Sequence, residues 1–214
     1  MKLPLLNKLK KQAHREIALL QDEVVEIMYS SFPDCKPVLH GGTAIWRCYQ
    51  GNRFSEDLDF YMPPCEGFKE KLFAESSKRG LTVSKFKETE NTIFAKITDG
   101  KAEVRIEINV SKAKAGEIRP AVGEFEKADG GILTILTLSP SNLLEEKMSA
   151  FENRRLIRDF YDVYHLKAIA EFDEGRLKAF ASNAKKPADS KNLEALVYTG
   201  IAPSFEQMQE RLLL

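Results

Sequence analysis

Two short groups of residues in this chain have types and spacing that suit chemistry on phosphates. The first is Gly41-Gly42-Thr43, which follows Val38-Leu39-His40. Paired glycines at a strand-to-helix corner let backbone approach a ligand, and the first N–H groups of a helix attract anions. The second is Arg53-Phe54-Ser55-Glu56-Asp57-Leu58-Asp59-Phe60. On a strand, Asp57 and Asp59 share one face while Leu58 points into the core, with the two Cα atoms roughly 6.5–7 Å apart. Carboxylates so placed can converge on a hard cation such as Mg²⁺, which keeps waters and takes phosphate oxygens as further ligands. Anion donors beside a carboxylate-held cation suit phosphoryl or nucleotidyl transfer, in which metal ions orient the triphosphate and neutralise developing charge. Either group alone is commonplace: a glycine pair is usually a turn, and Asp-x-Asp is usually a solvated strand face. Their joint arrangement, with one short helix between, is what points to a site.

The elements that must position these groups follow from periodicity. Leu9, Ala13, Ile17, Leu20, Val24 and Ile27 recur at helical steps, opposite Lys10, Lys11, Arg15, Asp22 and Glu26. Pro33 and Pro37 bracket a turn before a short strand at 38–40. Thr43 is expected to cap a helix over 44–50, with Gly51 as its stop. Leu58, Phe60 and Met62 alternate with Asp57, Asp59 and Tyr61, as in a half-buried strand. A helix is expected over 66–78, then strands over 81–87, 92–98 and 102–110, with Asp99-Gly100 as a hairpin signal. Two more strands are expected over 118–125 and 132–138. After Ser139-Pro140 the pattern turns helical, with a break at 152–155 between two helices and further helices over 174–184 and after Pro187. The expected fold class is α+β: a mixed-sheet core with an N-terminal helix over 1–138, and a helical C-terminal region over 139–214.

Composition narrows the function classes. The 214 residues are 43% hydrophobic and 30% charged, the balance of a folded globular chain rather than a disordered one. Lys plus Arg and Asp plus Glu number 32 each, so any polyanion site must come from a local patch. Cys35, Cys48 and Cys65 are odd in number and lack CxxC spacing, which argues against a disulfide scaffold or a zinc site. With no signal-peptide core at Met1-Lys2-Leu3-Pro4 and no apolar run of roughly 20 residues, a cytoplasmic protein is expected. His14, His40 and His165 are scattered, and neither a P-loop nor a dinucleotide fingerprint is present. His40 and Trp46 read as structural residues.

The run Gly41 to Phe60 resembles the first motif of nucleotidyltransferases in the AbiEii/AbiGii toxin group of the polymerase-β superfamily. Gly41, Gly42, Thr43, Arg53, Ser55, Asp57 and Asp59 match that motif position by position. The resemblance implies a polymerase-β-type core, nucleotide contacts from Gly41, Gly42, Thr43, Arg53 and Ser55, and metal ligation by Asp57 and Asp59. It also implies a third carboxylate on a later strand. Glu107 is the candidate there, opposite Ile106 and Ile108, while Glu103 shares its face and stays open as an alternative. The segments around Lys147 and Arg158-Asp159-Phe160-Tyr161-Asp162 resemble the family's lysine helix and its Arg-Asp-x-x-Asp helix. They imply that Lys147 contacts nucleotide phosphate and that Asp159 or Asp162 shapes the site.

The function implied is Mg²⁺-dependent transfer of a nucleoside monophosphate, or a few nucleotides, from NTP to an acceptor, with two metal ions and Mn²⁺ as a substitute. The resemblance points to RNA such as tRNA as acceptor and to a cognate antitoxin as partner, in a toxin–antitoxin or phage-defence context. Lys112, Lys114, Arg119, Arg154, Arg155 and Arg158 are expected to form a basic rim for RNA. The alternatives are a small-molecule (antibiotic) nucleotidyltransferase and an inactive nucleotide-binding protein working through partner contacts.

Overall fold

The chain folds around a seven-stranded mixed sheet, in a computed structural model that describes residues 3–214. In chain order the elements are α1 (Leu5–Lys8), α2 (Gln12–Ser31), β1 (Val38–His40), α3 (Gly41–Cys48), β2 (Leu58–Tyr61), α4 (Phe68–Lys78), β3 (Thr82–Glu88), β4 (Thr92–Thr98) and β5 (Glu103–Asn109). There follow α5 (Val110–Lys114), β6 (Pro120–Glu126), β7 (Ile132–Leu138), α6 (Pro140–Arg154), α7 (Ile157–Leu166), α8 (Glu174–Asn183), α9 (Leu193–Leu196) and α10 (Phe205–Leu213). The strand order is β3-β4-β5-β2-β1-β7-β6, so β2 lies at the centre. It runs antiparallel to β1 and parallel to β5. Its inward residues Leu58 and Phe60 are fully buried, each worth about 1.5–3 kcal/mol against exposure, and they fix which face carries Asp57 and Asp59.

Helix α2 packs against α4 and β5 through Val24, Val25, Ile27 and Met28. After β7 the chain turns at Ser139, whose hydroxyl accepts from the Asn142 N–H at 3.2 Å and caps α6. Arg155, at φ 50°, takes the left-handed position that ends α6 and lets α7 double back against it. The chain then returns to the sheet. Val197 bridges Arg53, the Phe54 N–H donates to the Leu196 carbonyl at 2.9 Å, and the Tyr198 hydroxyl donates to the Gly51 carbonyl at 2.8 Å. The C-terminal segment thereby pins the loop that leads into β2.

Several local expectations are corrected. Leu9 is buried but extended, in the joint between α1 and α2, so the long N-terminal helix starts at Gln12. Thr43 does not cap α3: the helix begins two residues earlier at Gly41, and the Thr43 hydroxyl donates to the Asp57 carbonyl at 2.5 Å. Gln50, at φ 57°, takes the left-handed position expected of Gly51. The strand expected to run through Val110 stops at Asn109, whose side chain caps α5 by accepting from the Lys112 N–H at 3.0 Å. Cys35 and Cys65 form a disulfide with Cα atoms 5.7 Å apart, against the reading from cysteine count and spacing. The physical reason is register: β1 and β2 pair Val38 with Tyr61, so the segments just beyond those ends lie opposite each other. Among the described residues no helix is long and apolar enough to cross a membrane.

Candidate active site

The corner between β1 and α3 is built around two glycines that cannot be enlarged. Gly41 turns at φ 71°, and a Cβ there would sit 2.5 Å from Asp59 Oδ2. A Cβ on Gly42 would sit 2.5 Å from Arg53 Nη2 and 2.6 Å from Ser55 Oγ. The two groups that the sequence separates by a helix therefore touch: the glycine corner lies directly on the carboxylate strand and on the loop before it.

Sheet register sets the carboxylates. His40 on β1, Asp59 on β2 and Glu107 on β5 lie side by side across three strands. Among the described residues neither the Asp59 nor the Glu107 side chain makes a hydrogen bond or a close ion pair, although the Arg154 charge acts on Asp59 from the facing wall. Asp57, one step back on the same face, accepts from Arg105 Nη2 at 2.6 Å. Burial pushes the Asp57 carboxyl above its usual range and neighbouring Asp59 adds to that, with Arg105 opposing. Glu103, the alternative third carboxylate, is exposed at the far end of β5, where Lys96 Nζ holds it at 2.5 Å and Ser84 Oγ at 2.9 Å. Glu107 borders the cleft and Glu103 does not.

The facing wall comes from α6 and α7 as a chain of alternating charges. Arg53 donates to both Asp162 oxygens at 2.6 and 2.5 Å, and both side chains are almost wholly buried. Lys147 Nζ lies 2.9 Å from Asp162 and 3.4 Å from Asp159. Arg154 closes the chain with two donations of 2.7 Å to Asp159. Burial alone would raise the Asp162 carboxyl, but Arg53 and Lys147 overrule it and hold it below the ordinary range. Burial likewise works against the charge on Arg53, and Asp162 more than restores it.

These walls enclose an open cleft of about 590 Å³, bordered by Gly41, Gly42, Arg53, Ser55, Asp57, Asp59, Glu107 and Lys147. Of the residues picked out in the sequence, Thr43 and Asp159 stand behind it as fully buried supports. Arg53 reaches it with a guanidinium already engaged by Asp162. Of the expected basic rim, Lys112, Arg154 and Arg158 border the cleft, whereas Lys114, Arg119 and Arg155 do not. Sequence reasoning missed several lining residues, among them Arg105, Arg176, Tyr61 and Glu146, and His40, read as structural, also borders the cleft. Arg105 alternates with Glu107 and was legible in principle. Arg176 arrives from α8 with no local signal. Tyr61 and Glu146 form a third unit: the Tyr61 hydroxyl donates to Glu146 Oε1 at 2.5 Å, His40 Nδ1 lies 3.3 Å from Oε2, and His40 stacks on Tyr61. Burial would raise the Glu146 carboxyl, but these two partners hold it low.

Among the described residues no three His, Cys, Asp or Glu side chains converge into a ready metal cage. The donor set nevertheless suits a hard divalent cation. Asp59 and Glu107 are cross-strand neighbours of like charge with no directly bonded cation among the described residues, an arrangement that repels itself and that a cation relieves.

The sequence matches the family described as "Nucleotidyl transferase AbiEii toxin, Type IV TA system" over residues 26–212. No curated protein matches it. Among solved structures, the chain resembles JHP933 from Helicobacter pylori at 21% identity, with a TM-score of 0.68 and coverage of 96% of this chain and 90% of that one. It also resembles MenT4, a nucleotidyltransferase toxin from Mycobacterium tuberculosis H37Rv, at 18% identity, with a TM-score of 0.58 and coverage of 86% and 68%. At these identities the likenesses establish the shared fold alone.

Proposed function

Since the chain belongs to the AbiEii nucleotidyl transferase toxin family, we propose that it moves a nucleoside monophosphate, or a few nucleotides, from NTP to an RNA acceptor such as tRNA, with Mg²⁺ as activating cation. The observation that carries this reading is the like-charged pair Asp59 and Glu107 beside the Gly41-Gly42 corner, with Lys147 in the same cleft. Asp57, Asp59 and Glu107 would hold the metal, and Mn²⁺ would serve in its place. When bound, the metal supplies charge neutralisation and orientation at the reacting phosphate.

The chain's own residues do the rest. The glycine corner admits the triphosphate against the backbone at the start of α3. Lys147 and Arg158 supply positive charge from the helical wall. Ser55 borders the phosphates, while Thr43, Arg53, Asp159 and Asp162 hold the loop, the corner and the lysine in place. The acceptor hydroxyl oxygen forms a bond to the α-phosphorus, the bond to the β-phosphate oxygen breaks, pyrophosphate leaves, and the hydroxyl proton passes to solvent.

Lys112, Arg158 and Arg176, which border the cleft, support a phosphate-rich acceptor. The type IV toxin–antitoxin description supports a cognate antitoxin as partner, and an enzyme drawing on NTP and RNA pools belongs in the cytoplasm. The test offers total tRNA, other RNA and aminoglycosides with each α-labelled NTP at two salt concentrations. Label on tRNA that fades with salt and with Arg158→Ala is expected. Label confined to small molecules contradicts the acceptor assignment.

A further inference from the structure

One carboxylate of the proposed metal set already has a cation on it, and that cation belongs to the protein. On the cleft face β2 and β5 lie side by side, so Asp59 stands next to Glu107 and, one step back, Asp57 stands next to Arg105. The first pair is like-charged and open. The second is an ion pair closed at 2.6 Å. We propose that Arg105 is a resident counter-cation of Asp57 that must be displaced for the metal site to assemble, so that divalent cation and nucleotide bind cooperatively.

Three features support displacement rather than permanent pairing. Both side chains stay partly open, Arg105 at 41% and Asp57 at 32%, unlike the near-wholly buried Arg53–Asp162 pair. Arg105 is held by one donation from Nη2, and its Nε is buried without a partner among the described residues. Of the two carboxylates that flank it on the strand, Glu103 is already engaged by Lys96 and Ser84 and Glu107 belongs to the proposed metal set, so neither is a ready landing place once metal binds. A triphosphate does offer one: Arg105 borders the same cleft, and a guanidinium pairs well with phosphate oxygens. Metal alone has to compete with Arg105 for Asp57. Metal with nucleotide gives Arg105 a new anion. Two ligands biasing one side chain in this way are coupled, and each must tighten the other by the same factor.

The inference rests on the proposed metal assignment, and the experiment separates the two. Mn²⁺ binding is followed by electron paramagnetic resonance, with and without a non-hydrolysable α,β-methylene NTP analogue, for wild type, Arg105→Gln, Arg105→Lys and Asp59→Asn. Wild type should bind Mn²⁺ weakly alone and more tightly with the analogue. Arg105→Gln should bind Mn²⁺ alone more tightly by roughly 5- to 150-fold, the usual range of such coupling, and lose most of the analogue's effect. Arg105→Lys, which keeps the charge, should behave as wild type, and thermal melting checks that each variant is folded. Equal Mn²⁺ affinity in folded Arg105→Gln and wild type, with Asp59→Asn abolishing binding, overturns the Arg105 inference alone. Undiminished binding in Asp59→Asn overturns the metal assignment and the inference with it.

Discussion

Replacing Asp162 by Asn keeps the shape of the side chain and removes its charge from a place that water does not reach. Asp162 is 1% exposed and accepts two donations from Arg53 and one from Lys147 at 2.5–2.9 Å. Bonds to charged partners are worth about 1.5–3 kcal/mol each, and an amide oxygen keeps only part of them. The Arg53 guanidinium would be left buried without that compensating charge, with one amide oxygen and the Phe54 carbonyl, 3.2 Å away, as acceptors. Breaking one side of a buried ion pair costs about 3–5 kcal/mol, because the surviving charge is uncompensated. For a chain of this size each kcal/mol lowers the melting temperature by about 2–4 °C, so a drop of roughly 6–20 °C is expected. Urea unfolding followed by circular dichroism gives the free energy directly, with an unchanged m-value as the sign that only stability moved. The double variant Arg53→Met with Asp162→Leu should lose less than either single change, since it leaves neither charge of the pair behind. A loss below about 1 kcal/mol for Asp162→Asn would refute the reasoning, because surface pairs behave in that way.

Further outcomes follow from the same geometry. The Asp162 carboxyl is held below its ordinary pKa, so its stabilisation is present above that value, near 4, and lost as pH falls through the lowered one. Acid unfolding of wild type below about pH 4 should therefore be steeper than that of Asp162→Asn, and parallel curves would contradict the assignment. Gly42→Ala places a methyl against Arg53 Nη2 and Ser55 Oγ and should cost about 1–3 kcal/mol together with nucleotide affinity; calorimetry with an NTP analogue checks both. Glu107→Gln should lower transfer by about a hundredfold or more, through loss of charge stabilisation at the reacting phosphate. Glu103→Gln should leave transfer within a fewfold of wild type, and equal effects of the two changes would sink the choice of Glu107.

The sequence carried the outline of the site because its parts are local. Alternation around Asp57 and Asp59 told which way the carboxylates face, and alternation around Glu107 did the same on β5. Strands with strong alternation and clear turns, 92–98 and 132–138, have the bounds that periodicity gives. What pattern could not supply was lateral register. It places Asp59 beside Glu107 and Asp57 beside Arg105, and it brings Cys35 to Cys65 across 30 residues. The charge chain through Arg53, Asp162, Lys147 and Asp159 was equally hidden, since residues 109 positions apart meet only after folding. On a helix, Arg158, Asp159 and Asp162 look like a solvated face. Burial of Asp159 and Asp162 is a property of what α7 packs against. The capping role expected of Thr43 failed because α3 starts at Gly41, which puts Thr43 inside the helix, where its hydroxyl donates to the Asp57 carbonyl, 14 residues away.

The central claim is that this cleft breaks the bond between the α- and β-phosphates of NTP and keeps the nucleotide on an acceptor. The most direct measurement incubates the protein with total RNA and NTP labelled in parallel at the α or the γ position, with Asp59→Asn alongside. Nucleotidyl transfer requires α-label on the acceptor, γ-label released as pyrophosphate, and neither outcome in the variant. Acceptor labelled from the γ position, or α-label transferred equally by Asp59→Asn, would contradict it.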